Sequence, residues 1–395
     1  MIIKKFFLAF LFFAFSTELQ GYSIDKTEET PEFVKGLYIN AYRAGDKKYM
    51  ENLLNDFGSL INTLVIDIKD SHGTLTYKSK LKIARTVGSQ GTLISNIDKY
   101  INDLKNRGYY IIGRIVVFRD PLFARYKNNK FGIKIKGTKG LWKDENGFVW
   151  VDPFSEEVWK YNISIAEEAA QRGFDEIQFD YVRFPSYDGT KIPYFPFQKK
   201  RNKEEAIISF LIKARKKLQR QGIKVSVVLF GYTAWQNHLP REGQLFVEMG
   251  KKVDAVYPIL YPSHFADNFL AEKQKQKRTY NIIFKSIKRG NALLQHSGSK
   301  LIAYIQGFDW KRSKLGKDYI GIQMQACEDA NSKGWIVWNA KGEYKETYNS
   351  LLNYSIRLVK PSSKIVTEKN LISRTKNENK FEESDTRGIE AILHW

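Results

Sequence analysis

Apolar stretches recur along most of the chain and alternate with segments in which apolar residues return every three or four positions. The apolar stretches are continuous rather than interrupted at every second residue, which is typical of parallel strands buried on both faces. The pattern predicts eight strands, at Val34–Asn40, Asn62–Lys69, Tyr110–Phe118, Asp175–Asp180, Ile223–Phe230, Val253–Leu260, Lys300–Gln306 and Gly334–Trp338.

The segments between these strands have helical periodicity, and two of the predicted helices end at a glycine, a common residue after the last turn. Eight strand–helix units predict an α/β fold of the (β/α)₈ type, a TIM barrel, over residues 34–358. No glycine-rich phosphate loop follows the first strand, which argues against a dinucleotide-binding fold. The segment Asp120–Asp152, after the third strand, is predicted to be an insertion that carries a small hairpin.

The two ends of the chain differ from this pattern. Residues 1–22 have the features of a signal peptide, because Lys4 and Lys5 precede an apolar run of about ten residues, too short to span a bilayer comfortably. This predicts export to the periplasm, the cell surface or the medium, with an uncleaved N-terminal anchor as the alternative and no other transmembrane segment. Residues 360–395 are basic and polar, and they are predicted to be mostly disordered.

Composition adds two constraints. The chain is 43% hydrophobic and has a single cysteine, Cys327, so a large core rather than an intramolecular disulfide must hold the domain together. The net charge of +21 indicates either attraction to an anionic polysaccharide or cell-wall polymer, or a solvated basic surface. We favour the solvated surface, since the charges form no single stripe. Nucleic acid is not an expected partner, because no binding module is recognisable.

Candidate chemistry lies where the predicted strands end, because the C-terminal ends of barrel strands form one rim that carries the active site. Asp180 ends the fourth strand and is followed by Tyr181 and Arg183. Carboxylates, amides and aromatic rings together suit a carbohydrate cleft. The other predicted substrate-binding residues near strand ends are Asp67, Lys69, Arg114, Asp120, Tyr261, His264, Gln306, Trp338 and Asn339.

Glycoside hydrolysis requires two carboxyl groups on either side of the scissile bond. Asp180 is the first choice and Asp70 the second, with Asp67 and Asp120 as competitors for the second position. Arg183 is expected to keep Asp180 ionised, which favours a role as nucleophile, base or charge stabiliser. The fifth strand is followed by no glutamate where many barrel glycosidases keep their acid.

Five segments together resemble a known family: Val65–Gly73, Gly113–Pro121, Phe179–Pro185, Leu260–His264 and Gly334–Ala340. They are similar to a bacterial family of TIM-barrel domains regarded as glycoside hydrolases and long catalogued as a domain of unknown function. The resemblance extends in order over nearly all of the chain before the tail. It implies a barrel related to glycosidases that act on α-linked or amino-sugar polymers, with Asp180 as a catalytic carboxylate.

The leading hypothesis is therefore an exported glycoside hydrolase that cleaves a surface or cell-wall polysaccharide, with neither cofactor nor metal. One alternative is a carbohydrate-binding barrel without catalysis, supported by the missing glutamate. The other is a metal-dependent hydrolase or deacetylase that would use Asp67, Asp70, His72 and Asp180. Neither a tight His-x-His pair nor an H-E-x-x-H motif supports such a metal site.

Overall fold

A computed structural model describes residues 30–187, 192–309 and 318–359, the last six of these by their backbone only. The predicted signal peptide (1–22) and the predicted disordered tail (360–395) lie outside the described residues. All eight predicted strands are present: β1 Val34–Ile39, β2 Thr63–Lys69, β3 Tyr110–Val116, β4 Glu176–Asp180, β5 Lys224–Phe230, β6 Ala255–Ile259, β7 in two parts, Lys300–Leu301 and Ala303–Gln306, and β8 Gly334–Trp338.

The eight strands form one closed parallel barrel. Each strand pairs in parallel with the next along the chain, and β8 pairs with β1 to close the ring. The pairs from β2 to β7 are parallel as well. This confirms the predicted TIM barrel, in which the carboxyl ends of all strands open on the same face.

Helices connect the strands and cover the outside of the barrel. Asn202 and Glu205 form a capping box at the start of the helix before β5, which fixes where that helix begins. The helices are α1 Ala41–Gly45, α2 Lys47–Phe57, α3 Lys82–Val87, α4 Ile97–Asn106, α5 Pro121–Asn129, α6 Glu156–Gln171, α7 Lys203–Leu218, α8 Thr233–Gln236, α9 Phe246–Gly250, α10 Lys275–Leu294, α11 Tyr319–Asp329 and α12 Lys345–Val359.

The connection between β3 and α6 is the predicted insertion after the third strand. Antiparallel bridges join Gly132 to Val151, Lys134 to Leu141 and Lys143 to Val149. A further two-stranded pairing joins Lys134–Ile135 to Pro193–Tyr194, in the loop after β4. The insertion therefore carries hairpin-like pairing, as predicted, and it is attached to the loop that follows Asp180.

The two faces of each barrel strand are buried in different surroundings. On β4, Ile177 and Phe179 join the apolar layer between strands and helices, where Phe179 meets the ring of Phe210 of α7 at 5.2 Å. Glu176 and Asp180 have the opposite parity and point inward. The interior is filled by rings and a few charged groups rather than by aliphatic side chains alone. None of the helices described is both long and apolar enough to cross a membrane.

Candidate active site

Asp180 at the end of β4 is linked to Asp67 of β2 through one guanidinium group. Arg114 lies on β3, between these two strands, and its Nε and Nη2 donate to Oδ2 of Asp180 at 2.9 and 2.7 Å. Its Nη1 donates to Oδ1 of Asp67 at 2.6 Å. The backbone N–H of Tyr181 donates to Oδ1 of Asp180 at 2.6 Å. Three N–H groups thus hold Asp180 as an acceptor, as they would an ionised carboxylate.

Tyr38 of β1 completes this cluster on the far side of Asp67. Its hydroxyl donates to Oδ2 of Asp67 at 2.7 Å, and its ring stacks on Trp338 with centroids 3.6 Å apart. Asp67 is only 2% exposed, and burial raises the pKa of its carboxyl in spite of Arg114 and Tyr38, which act in the opposite direction. Attraction by the two carboxylates raises the pKa of Arg114, although its burial acts against this.

Lys69 and Asp120 form a separate pair outside the barrel interior. Lys69 Nζ lies 2.6 Å from Oδ2 of Asp120, and both side chains are fully buried. The other oxygen of Asp120 caps α5 by accepting the N–H of Phe123. A register shift in β2 between Asp67 and Lys69 separates the two side chains, which an uninterrupted strand would place on the same face. Lys69 therefore reaches Tyr161 of α6 instead of Asp180.

A cavity of about 700 Å³, its open mouth included, lies above this cluster. Of the described residues in its wall, Asp180 is the one acidic side chain. Partly exposed rings of Tyr181, Phe230, Phe308 and Trp338 offer apolar surfaces around it. The full set of described wall residues is Arg114, Asp180, Tyr181, Arg183, Val228, Leu229, Phe230, Gln244, Ile259, Tyr261, His264, Tyr304, Phe308 and Trp338.

Seven of the thirteen residues predicted from sequence as site residues therefore share this wall: Arg114, Asp180, Tyr181, Arg183, Tyr261, His264 and Trp338. The expected contact of Arg183 with Asp180 is replaced by the contact of Arg114, because strand register brings β3 directly beside β4. Asp67 contacts the cluster from below the wall.

Asp70, Gln306 and Asn339 are not among the described wall residues. Asp70 Oδ1 accepts the backbone N–H groups of His72 and Thr74 at 2.9 Å each, which closes the turn after β2. Gln306 accepts the hydroxyl of Ser263 at 2.9 Å and joins the loops after β6 and β7. Asn339 donates to the carbonyl oxygens of Gly307 and Glu343. Their roles in catalysis and binding stay predictions.

Sequence reasoning missed several members of the site. Tyr38 and Tyr304 lie within strands rather than after them, and Tyr304 donates to Oε1 of Gln178 at 2.6 Å inside the barrel. Gln244 comes from a small hairpin, His238–Leu239 with Gln244–Leu245. A large polar ring at an inward-facing position near a strand end is the signal that would have identified the two tyrosines.

The side chains named for a metal-dependent mechanism are not gathered into a metal site. Among the described residues, no group of three His, Cys, Asp or Glu side chains is placed to hold a metal ion. His72, which that alternative required, is exposed in the turn closed by Asp70.

Comparison with known proteins places the barrel in a family. Residues 36–344 match the family model described as "putative glycosyl hydrolase domain". The chain belongs to this glycosyl hydrolase family. The resemblance predicted from the five sequence segments is thereby confirmed. A search of curated proteins found no match to the chain.

Solved structures similar to this glycosyl hydrolase family member share its barrel. The PgaB (BpsB) glycoside hydrolase domain from Bordetella bronchiseptica is 13% identical, with 82% of this chain and 98% of that one covered and a TM-score of 0.59. The endo-beta-1,4-mannanase from Thermotoga petrophila is 10% identical, with coverages of 87% and 80% and a TM-score of 0.54. A hypothetical protein from Ruminiclostridium thermocellum is 34% identical over 48% of this chain and 96% of its own, with a TM-score of 0.44.

Proposed function

We propose that this protein is an exported glycoside hydrolase that cleaves a surface or cell-wall polysaccharide, with Asp180 as a catalytic carboxylate. Membership of a glycosyl hydrolase family supports the reaction class. The observation that carries the choice of Asp180 is its position as the one acidic side chain among the described residues of the cavity wall. The aromatic rings around it are surfaces on which the C–H faces of sugar rings can lie.

The contacts of Asp180 favour a role that uses the ionised carboxylate. Arg114 and the Tyr181 N–H donate to it, and such donors stabilise the charged form over the protonated one. Asp180 would then act as nucleophile, as base toward water, or as the charge that stabilises an oxocarbenium-like transition state. A proton donor must be a second group.

The identity of that second carboxyl group is open to a direct test. Asp70 is the choice made from sequence, and its carboxylate is only partly buried at the end of β2. Asp67 is closer in the hydrogen-bond network, but Tyr38 and Arg114 occupy its two oxygens. We therefore propose Asp67 as a positioning residue that orients Arg114, and Asp70 as the proton donor.

Product release from a panel of bacterial polysaccharides and peptidoglycan, detected by mass spectrometry, tests this proposal. Wild-type protein is compared with Asp180→Asn, and Asp309→Asn serves as a control that removes an exposed carboxylate near the same rim. We expect products from wild type and from the control but not from Asp180→Asn. Asp70→Asn should also lose turnover if it supplies the proton, and full turnover of that variant would remove it from the mechanism.

A carbohydrate-binding barrel without catalysis is the second candidate. It is favoured by the same observation seen from the other side: the described cavity wall offers one carboxylate, whereas most glycosidases use two. Saccharide binding by both wild type and Asp180→Asn, with no product from either, would support it over hydrolysis.

Export is proposed on the sequence of residues 1–22. Cell fractionation of the full chain beside a variant that lacks these residues tests it. The full chain should reach the cell envelope or the medium, while the shortened chain stays in the cytoplasm. Retention of both in the cytoplasm would contradict export without affecting the assignment of the reaction.

A further inference from the structure

Arg183 is a buried cation in the cavity wall beside Asp180. It is 8% exposed, and the one hydrogen bond found for it within the described residues goes from Nη1 to the carbonyl oxygen of Phe184 at 3.1 Å. A guanidinium carries five N–H donors and accepts no hydrogen bonds. No carboxylate of the described residues lies within ion-pair distance of Arg183, in contrast to Arg114, which contacts two.

Aromatic rings surround the guanidinium of Arg183 where a carboxylate would be expected. Its central carbon lies 4.6 Å from the ring centroid of Phe230, 4.9 Å from that of Trp150 and 5.1 Å from that of Tyr181. Trp150 is supplied by the insertion after β3. Rings attract a cation through their faces but cannot replace hydrogen-bond acceptors at its edge. The cage therefore holds the group in place and leaves most of its donors for a ligand.

A second buried guanidinium lies on the other side of Tyr181. Arg119 packs on Phe148 at 3.6 Å and lies 5.1 Å from the Tyr181 ring, and it donates to the Tyr181 hydroxyl at 2.9 Å. Its Nε is buried without a hydrogen-bond partner in the described part of the chain. The described ion pairs include no carboxylate for Arg119 either, so this side of the cavity carries two uncompensated positive charges.

The acidic group nearest in effect does not neutralise them. Glu242 attracts Arg183 electrostatically, but one of its oxygens takes the hydroxyl of Ser186 and it forms no ion pair with the arginine. Burial lowers the pKa of Arg183, which reflects the cost of keeping this charge away from water. A bound anion would offset that cost, and a planar carboxylate matches the fork of a guanidinium.

We propose that Arg183 forms an anion-binding subsite next to Asp180, and that the sugar unit bound there carries a carboxylate. The substrate class is then an acidic polysaccharide of the uronic-acid type. This inference rests on the proposed function, since it describes the substrate of the same cavity. Arg119 acts as a positioning residue, which holds Tyr181 against Arg183.

Binding of matched ligands tests the subsite independently of hydrolysis. Titration calorimetry compares uronic-acid oligosaccharides with the same oligosaccharides after chemical reduction of the carboxyl group to the alcohol. For wild type, reduction should weaken binding about 10- to 100-fold, the range for a charge-assisted hydrogen bond. Arg183→Gln should bind the acidic ligand as weakly as wild type binds the reduced one, and the reduced ligand with unchanged affinity.

Arg241→Gln is the matched control, because it removes an exposed arginine from the same side of the molecule. It should preserve the preference for the acidic ligand, and thermal unfolding of each variant establishes that it is folded. Arg183→Lys keeps the charge without the fork and should retain only part of the preference. Equal weakening of both ligands by Arg183→Gln would make the arginine a structural residue and overturn the proposal.

Two further outcomes separate the subsite from the reaction. Product from neutral polysaccharides, with no preference for acidic ones, would uphold the glycoside hydrolase and overturn the subsite. Binding of uronic-acid ligands through Arg183 without any product would uphold the subsite and contradict hydrolysis. A stronger preference for phosphate- or sulfate-bearing polymers than for uronic acids would overturn the assignment of a carboxylate.

Discussion

Two carboxylates of the same strand, Glu176 and Asp180, face the interior of the barrel from opposite ends of β4. Glu176, at the N-terminal end, accepts hydrogen bonds from the hydroxyl groups of Ser226 and of Tyr110, the latter at 3.1 Å. Asp180, at the C-terminal end, accepts from the guanidinium of Arg114 and from a backbone N–H. Both side chains are buried, so burial alone does not distinguish them.

The partners of the two groups set different chemistry. Hydroxyl groups can donate or accept, so the surroundings of Glu176 suit a protonated carboxyl as well as an ionised one, and burial raises its pKa. Guanidinium and backbone N–H groups can only donate, so the surroundings of Asp180 suit the ionised form. Asp180 also lies in the wall of an open cavity. A neighbouring cation and access to a ligand, rather than burial, therefore mark the carboxylate proposed to act.

The comparison can be broken most directly by the same chemical change at both ends. Asp180→Asn and Glu176→Gln each replace a carboxylate by its amide within one strand. We expect Asp180→Asn to reduce kcat/KM by about 10²- to 10⁴-fold, the range for removal of a catalytic acid or base. Glu176→Gln should leave it within about twofold, because its carboxyl is remote from the cavity. Product release by mass spectrometry measures both; an equal loss from the two variants would refute the distinction.

A second test removes the cation that separates the two environments. Arg114→Met leaves Asp67 and Asp180 buried without their shared partner, and breaking a buried ion pair from one side costs about 3–5 kcal/mol of unfolding free energy. Ser226→Ala removes a hydroxyl partner of Glu176 and should cost about 1–3 kcal/mol, the penalty for an unsatisfied polar group. Urea unfolding compares the two. A cost from Ser226→Ala that matched or exceeded that from Arg114→Met would contradict the view that charge organises only the upper cluster.

The barrel itself was predictable because its strands are continuous apolar runs with helical segments between them. The position of Asp180 was predictable for the same reason, since its strand is short and ends sharply at Tyr181. Tyr181 has a left-handed backbone, with a φ of 53°, which turns the chain out of the sheet at that residue.

The pairing of charged side chains was not predictable from sequence distance. Arg183 follows Asp180 by three residues, yet Arg114 contacts it, because strand register decides the neighbours of a side chain inside a barrel. Asp67 and Lys69 share the same parity, yet the register shift between them sends one inward and the other outward. Such an irregularity leaves no periodicity for a sequence pattern to reveal.

The dependence of stability on pH would sharpen the comparison further. The folded-state pKa of Glu176 lies above its ordinary value of 4.5, so between these values the folded protein binds more protons than the unfolded chain. Stability contributed by this group therefore falls as pH rises through that window. Glu176→Gln has no such proton to lose. We expect wild type to lose stability relative to Glu176→Gln as pH rises from below 4.5, as measured by urea unfolding. Parallel curves would contradict the raised pKa.

The smallest expected effect comes from removing one tyrosine hydroxyl at each end. Tyr38→Phe deletes the donor to Asp67, 2.7 Å away, and keeps the ring that stacks on Trp338. We expect a loss of about 1–2 kcal/mol in unfolding free energy and a fall of about fivefold in kcat/KM, because Asp67 then holds Arg114 less firmly. Tyr110→Phe deletes the hydroxyl that donates to Glu176 at the lower end.

Tyr110→Phe is the informative half of this pair. It should cost a similar free energy of unfolding, since both hydroxyls are buried donors to a carboxylate, but it should leave kcat/KM unchanged. Stability and activity would then separate along one barrel: lost hydrogen bonds cost stability at either end, and they cost activity only where they lead through Arg114 to Asp180. A fall in activity from Tyr110→Phe as large as that from Tyr38→Phe would mean that the two ends are coupled, and that the lower carboxylate also contributes to the site.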